Sequence, residues 1–457
     1  MIPVLNVRWK LYQKNNVNIL KYYGDYINYK KMTKEYEISS PVIPEILSKF
    51  DGITDIDTLK KDVSLSDSSD IQELEELIKN KVIVDVSELQ TDYRECTQCA
   101  NNNKLILDLG FDENGVCDYC NHYKKNAQIE YKNSLKGLSV QDADVLKDSN
   151  NEYDAMILYT GGKDSSLLLW HLTKNLGMRV VAATWNMPFM SDSARKSIEN
   201  AKKRLPEVKF IEVTLPDDQV IAMMKASMYE KGLPCICHFM AKLIFYPIAI
   251  EMKIPYIVDG VEEIQTTMFG TNSNVEVSER DITFAEVMKI LRSEPFLKRV
   301  TKPTKDQPYY SIDGVKIDIL KNQDIIKKAF FDTSIKVPII KHLANCTERY
   351  TWHEAIDIIK NNLGWQPPDE NESFLHTSCK IEYLMDYTQM RQYLKLETSE
   401  PPESIIQLNA GIYYNYLSRD AAKKDLSRRD YFKAHECIKY VKDYLSLSED
   451  ALKVIYS

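Results

Sequence analysis

The sequence is short of several things, and each shortage closes off a class of protein. No stretch of its 457 residues approaches the roughly 18 consecutive apolar residues of a membrane-spanning helix. The best run, "AKLIFYPIAI" (241–250), is interrupted by Pro247. The opening "MIPVLNVRWK" has neither the apolar core nor the small-residue cleavage site of a secretory signal. Both features read as a cytoplasmic chain, where thiols stay reduced, so its nine cysteines point to metal binding or thiol chemistry before disulfides. Positive charge is not in excess: 59 Lys and Arg face 67 Asp and Glu, a net charge of −8. A broad phosphate-binding surface needs the opposite balance, so nucleic acid is disfavoured as a partner and tRNA is left with at most a local basic strip. Glycine is scarce, 14 against 28 tyrosines, a bias of base composition more than of function. Neither an internal repeat nor a low-complexity tract is visible. What remains, 44% hydrophobic and 28% charged residues, is ordinary for a globular chain long enough for two to four domains.

The chain divides into four regions. Residues 1–92 read as a small module of short β segments ("VNILKYYGDYINY", with a Gly-Asp turn) followed by three helices and "VIVDV", a winged-helix-like order. Residues 93–125 hold a compact four-cysteine element. From 126 to 275 short apolar strands alternate with helices, as in "AMILY", "MRVVAATWN", "KFIEVTL" and "PYIVDG". That alternation predicts an α/β fold with a doubly wound parallel sheet. Residues 276–457 read as mostly helical.

The stretch "AMILYTGGKDSSLLLW" (155–170) carries the chemistry. Strand, glycine loop and helix follow directly, so backbone N–H groups and the positive helix end can face a phosphate. Lys163 adds a full charge, and the Ser165 and Ser166 hydroxyls can donate to phosphate oxygens. Asp164 would repel phosphate unless Mg²⁺ bridges them, so the ligand expected is a metal–nucleotide complex.

The segment "TGGKDS" resembles the PP-loop, SGGxDS, of the N-type ATP pyrophosphatases, also called adenine-nucleotide α-hydrolases. Thr160 stands where that family usually has Ser, and a hydroxyl is kept. The resemblance implies cleavage of ATP between the α- and β-phosphates, transfer of AMP to a substrate oxygen, and release of pyrophosphate. It places Tyr159, Thr160, Gly161, Gly162, Lys163, Asp164, Ser165 and Ser166 on ATP, with Lys163 and Asp164 catalytic. Adenine would lie near Thr184 and Asn186 at the end of the second strand. Gly260 in "IVDGVEE" would allow close approach, and Glu262 would face Mg²⁺ or substrate, or else be a solvated loop acid.

Cys96-x2-Cys99 and Cys117-x2-Cys120, with 17 residues between the pairs, place four thiolates on two turns, a pattern that suits structural Zn²⁺. The text "ECTQC…LGFDENGVCDYCNHYKK" is similar to the zinc element of the N-acetyl sugar amidotransferases, as is "RKSIENAKKRL…FIEV". The likeness runs over about residues 95–270, with echoes at "HEAIDIIKNNLGW". It implies exchange of an amide oxygen for ammonia nitrogen supplied by a glutaminase partner. The N-terminal module resembles the peptide-recognition elements of enzymes that modify ribosomally made peptides; a structural cap is the plain alternative. The resemblance also implies homodimers paired through the helical C-terminal region.

Sulfur competes with nitrogen. "PCICH" puts Cys235 and Cys237 ahead of a helix, an arrangement similar to that of sulfur-inserting PP-loop enzymes, although those have CxxC. Such thiols can carry persulfide sulfur or ligate an iron–sulfur cluster, with Cys379 as the preferred third thiol and Cys346 second. His238 and His376 lie beside them. For each of Cys346, Cys379 and Cys437 taken alone, a small buried hydrophobe is the plainer reading. The expectation is adenylation of an amide oxygen and its replacement by sulfur. Amidotransfer is the alternative, and a nucleotide-binding adaptor for a peptide or carrier protein is a third reading.

Overall fold

The computed structural model describes residues 1–7, 9–14, 16–25, 32–89, 92–104, 106, 109–121, 124, 147, 150–231, 235–262, 279–300, 310–312, 315–342, 350–368, 374–375, 377–380, 394, 403–428, 439 and 442–456. Cys346, Cys437 and His376 lie outside them.

The N-terminal module contains β1 (Pro3–Leu5), β2 (Trp9–Lys14), β3 (Val17–Asp25), β4 (Met32–Glu37), α1 (Ile43–Ser48), α2 (Ile56–Asp62), α3 (Ser68–Lys79) and β5 (Ile83–Asp85). Strands β2–β3–β4 form an antiparallel sheet, and β1 pairs with β5. Asp55 and Asp67 cap α2 and α3 by accepting backbone N–H bonds that the first helical turn leaves open. Trp9, Leu20, Ile43, Ile46, Leu74, Leu77 and Val82 form a core of the module's own. The sequence suggests a turn at Gly24–Asp25, but β3 continues through it. The extra length is absorbed by a register shift against β4 between Tyr23 and Asp25.

The main domain contains β6 (Ala155–Leu158), α4 (Lys163–Trp170), β7 (Val180–Asn186), α5 (Asp192–Arg204), β8 (Lys209–Thr214), α6 (Asp217–Lys231), α7 (Cys237–Glu251), β9 (Tyr256–Asp259), α8 (Glu279–Arg292), α9 (Glu294–Val300), the hairpin β10 (Tyr310–Ile312) and β11 (Val315–Ile317), α10 (Ile319–Phe331) and β12 (Ile339–His342). Five strands pair in parallel in the order β12-β9-β6-β7-β8. The fold is therefore the α/β parallel sheet expected from the alternating pattern. Chain order reverses at β6, which sits between β7 and β9. In open sheets of this kind the crevice beyond such a reversal is where ligands bind. The inner strands β6 and β7 are buried on both faces; Ala155–Leu158 and Val180–Ala183 are all core residues.

One detail corrects the sequence reading. The edge strand β12 comes from beyond residue 276, from a region read as mostly helical; four residues, "IIKH", carry too little periodicity to show it. Helix α7 runs through Pro247. Proline cannot bond the carbonyl four residues back, and the Asn322 side-chain amide donates to that Leu243 oxygen at 3.1 Å. Met240, Leu243, Ile244, Phe245 and Tyr246 are buried around it. No helix among the described residues is long and apolar enough to cross a membrane.

Three C-terminal helices, α11 (Trp352–Leu363), α12 (Glu403–Tyr413) and α13 (Arg419–Arg428), share a second core with the four-cysteine element; α14 (Glu449–Tyr456) follows them. Helix α11 starts with a Thr351–Glu354 capping box and ends at Gly364. Its terminal carbonyls accept from Arg204 (Asn361 O, 2.7 Å) and Asn200 (Gly364 O, 2.8 Å), which ties it to α5.

Candidate active site

The glycine loop lies at the carboxyl end of β6, where chain order reverses. Gly161 has φ +72°, and a side chain there would collide with the Ala194 carbonyl oxygen, so both conformation and space demand glycine. Gly162 starts α4 as its N-cap. The Thr160 hydroxyl lies 3.0 Å from Ser165 Oγ, and Thr160 N–H donates to Ser165 Oγ at 3.2 Å, which closes the loop on itself. The Trp365 indole N–H donates to Gly161 O at 3.1 Å from outside. Gly260 follows β9, and its Cα faces the Ser165 backbone so closely that a Cβ would sit 3.1 Å from Ser165 N. The close approach expected of Gly260 is thus made to the helix start.

Lys163 is 2% exposed. Its ammonium pairs with Asp164 and with Glu262 Oε1, the latter at 2.7 Å, and lies 5.0 Å from the centre of the Trp352 ring. The Trp352 indole donates to the same Glu262 oxygen at 3.1 Å. Burial pulls the Lys163 pKa down, but the two carboxylates outweigh it and the net shift is upward. Burial, with Asp164 nearby, pushes Glu262 up to about 8 against the pull of Lys163. Glu262 is therefore no solvated loop acid.

Three other residues expected on the nucleotide have partners within the protein. Thr184 is buried and donates to Tyr159 O at 2.7 Å, so its hydroxyl braces the strand leading into the loop. Ser166 is fully buried with its hydroxyl 3.5 Å from Tyr159 OH. Asn186 donates to Glu212 Oε2 at 3.0 Å at the open end of β7.

The thiols partly converge. Cys237 Sγ lies 3.1 Å and Cys379 Sγ 3.9 Å from Met187 Sδ, just beyond the end of β7. Cys379 is buried, and Cys235 and Cys237 are half-buried. Among the described residues, only the other four cysteines bring three or more metal-ligating atoms within 4.8 Å of one another. Cys235, Cys237 and Cys379 therefore do not form a single-ion site.

No protein-family model matches the chain, and no curated protein matches it. Among solved structures it is similar to the U34-tRNA thiolase NcsA from Methanococcus maripaludis with its 4Fe–4S cluster. Identity is 15% over 78% of this chain and 100% of that one, and the TM-score is 0.26. So loose a superposition leaves the site to be read from its own geometry.

A buried charge network beside the loop has no signature in the sequence. Lys242 is wholly buried and pairs with Asp259 Oδ2 at 3.0 Å and Glu286 Oε2 at 2.6 Å. His342 Nδ1 lies 2.6 Å from Asp259 Oδ1, and His238 Nε2 3.1 Å from Asp259 Oδ2. Burial raises the Asp259 pKa, but Lys242 and His342 hold it well below the usual carboxylate range. Burial likewise raises Glu286, and Lys242 brings it down to about 2.

The tetrad Cys96, Cys99, Cys117 and Cys120 is buried, with Sγ separations of 3.9 Å (Cys96–Cys120) and 3.7 Å (Cys99–Cys117). A tetrahedral zinc with Zn–S near 2.3 Å would place its sulfurs about 3.8 Å apart. Backbone N–H groups of Gln98, Cys99 and Cys117 point at Cys96 Sγ at 3.3–3.4 Å, which suits a thiolate. Hydrogen bonding among the crowded thiols holds Cys96 and Cys117 down and pushes Cys99 and Cys120 up. The donor set fits zinc and leaves no open position, which is the form of a structural site.

Proposed function

We propose that the chain is a PP-loop enzyme of the ATP pyrophosphatase superfamily that adenylates a substrate amide oxygen and then exchanges that oxygen for sulfur. The observation that carries the reading is the hydroxyl–Gly–Gly–Lys–Asp–Ser loop at the sheet's reversal point, with Lys163 and Glu262 facing each other across it. The amide oxygen attacks the α-phosphorus, the α–β bridging bond breaks, and pyrophosphate leaves. The weakly basic oxygen is thereby turned into part of AMP, a good leaving group. Hydrosulfide then adds to the carbon, the C–O bond breaks with AMP, and the S–H proton is lost, leaving a thioamide. Backbone N–H groups at the start of α4 and the Lys163 ammonium stabilise the charge that develops on the phosphates.

Asp164 and Glu262 would hold Mg²⁺, which when bound would neutralise phosphate charge beside them. Cys96, Cys99, Cys117 and Cys120 would hold Zn²⁺ as a structural ion. Cys237 and Cys379, which converge on Met187, together with Cys235 two residues before Cys237, would make a three-thiol donor set suited to an iron–sulfur cluster that would supply sulfur for transfer. The convergence of Cys237 and Cys379 on Met187 is what favours sulfur over nitrogen. The N-terminal module is assigned to recognition of a peptide or carrier protein, because its three-stranded sheet has two edges, β2 and β4, on which an extended segment can pair.

The test mixes the protein with Mg-ATP, an N-acetylhexosamine or an N-acetylated peptide, and sodium hydrosulfide or ammonium chloride. Pyrophosphate and AMP should appear together with a product heavier than its substrate. A lighter product formed with ammonium would mark amidotransfer. Binding of ATP without pyrophosphate release would mark an adaptor.

A further inference from the structure

The segment Thr377–Lys380 lies across the loop although it comes more than two hundred residues later in the chain. Thr377 Oγ1 accepts the backbone N–H of Lys163 at 3.0 Å. Ser378 lies against Gly162, the N-cap of α4. Backbone bonds fix the segment on its other side: Ser191 N–H donates to Ser378 O at 3.0 Å, and Lys380 N–H to Phe189 O at 2.8 Å. Cys379 bridges Met190 in antiparallel fashion and turns its thiol toward Met187. Four residues thus touch the nucleotide loop at one end and the thiol pair at the other.

Thr377 is 7% exposed, and its hydroxyl has a defined task on one side only. The oxygen takes the Lys163 N–H, while the O–H hydrogen meets no acceptor among the described residues. A buried donor left over at the start of a helix calls for an acceptor, and the positive end of the helix favours an anionic oxygen there.

We infer that Thr377 is a nucleotide-binding residue whose O–H donates to a phosphate oxygen of ATP while its oxygen keeps the Lys163 N–H. The inference rests on the adenylating reading above. It makes the C-terminal region part of the phosphate cradle and gives one reason for that region to fold over the loop. The opposite geometry, with the Thr377 oxygen standing where a phosphate oxygen belongs, would make the residue a plug and predicts the opposite sign.

Binding of α,β-methylene-ATP with Mg²⁺ to the full chain, followed by equilibrium dialysis, separates these cases. Thr377→Val keeps the shape and removes the donor, and should weaken binding about 10- to 100-fold, the usual worth of a hydrogen bond to a charged group. Thr377→Ser restores the donor and should stay within about threefold of the parent chain, which a purely steric role would not require. Thr377→Ala provides a second donor-free variant should valine disturb folding, and its expected direction is the same. Unchanged affinity in the donor-free variants overturns the inference, and tighter binding overturns it in favour of a plug. If the parent chain itself binds no nucleotide, the adenylating reading fails and takes this inference with it.

Discussion

Gly161 is where the loop has least freedom to change, because two independent constraints meet there. Its φ of +72° disfavours any L side chain, and the Ala194 carbonyl fills the space a Cβ would need. Gly161→Ala should destabilise the chain by about 2–4 kcal/mol and abolish binding of Mg-ATP. Thermal melting and nucleotide dialysis check this, and a variant that melts and binds like the parent would show that the loop is not held in this shape. This glycine was readable in the sequence because the motif packs its chemistry into seven consecutive positions. Thr184 and Thr377 mark the limit of such reading. Thr184 sits where the second strand should meet adenine, yet its hydroxyl is spent on Tyr159 O. Thr377 reaches Lys163 from a distant segment, and nothing in "FLHTSCKIE" announces that contact.

At the scale of elements, the alternation of apolar strands and helices disclosed β6 to β9, including the strand end Asp259–Gly260. The charge network there stayed hidden because its members come from four elements: His238 and Lys242 on α7, Asp259 on β9, Glu286 on α8 and His342 on β12. Only the parallel register that sets His342 opposite Asp259 brings them together. The network has a thermodynamic consequence. Glu286 is lowered from 4.5 to about 2, so the folded chain binds its proton less readily than the unfolded one. Its contribution to stability is fully present above pH 4.5 and is lost as the pH falls toward 2. Glu286→Gln should therefore cost roughly 2–4 kcal/mol at pH 7, by breaking a buried pair, and progressively less in acid. Urea melts of both proteins at pH 7, 5 and 3 test this. A gap that stays constant with pH would mean that Glu286 acts through packing alone.

Across the whole molecule, the four-cysteine element shares one core with the helix that follows the glycine loop and with the C-terminal helices. Its two CxxC pairs were plain from spacing, but their neighbours were not. One buried cluster joins Cys96, Cys99, Cys117 and Cys120 to Leu167 of α4, to Trp352 and Ile356 of α11, and to Trp365 and Ile405. Arg419 donates to the carbonyls of Cys99 at 2.9 Å and Cys96 at 2.7 Å, and Asn409 accepts the Ala100 N–H at 2.8 Å. The two tryptophans in that cluster are the ones that touch the site: Trp352 holds Glu262 and faces Lys163, and Trp365 holds Gly161. Loss of the zinc proposed for the tetrad should therefore be felt at the glycine loop. Four thiolates packed this closely must repel one another or take up protons once the ion is gone, and the core around them loosens. Elemental analysis should find one zinc per chain, and Cys96→Ser should lose it. Chelation or that substitution should lower the melting temperature and weaken α,β-methylene-ATP binding at least about tenfold, although no tetrad residue reaches the loop itself. A metal-free protein that binds nucleotide with unchanged affinity would show that the shared core carries no strain from one side to the other.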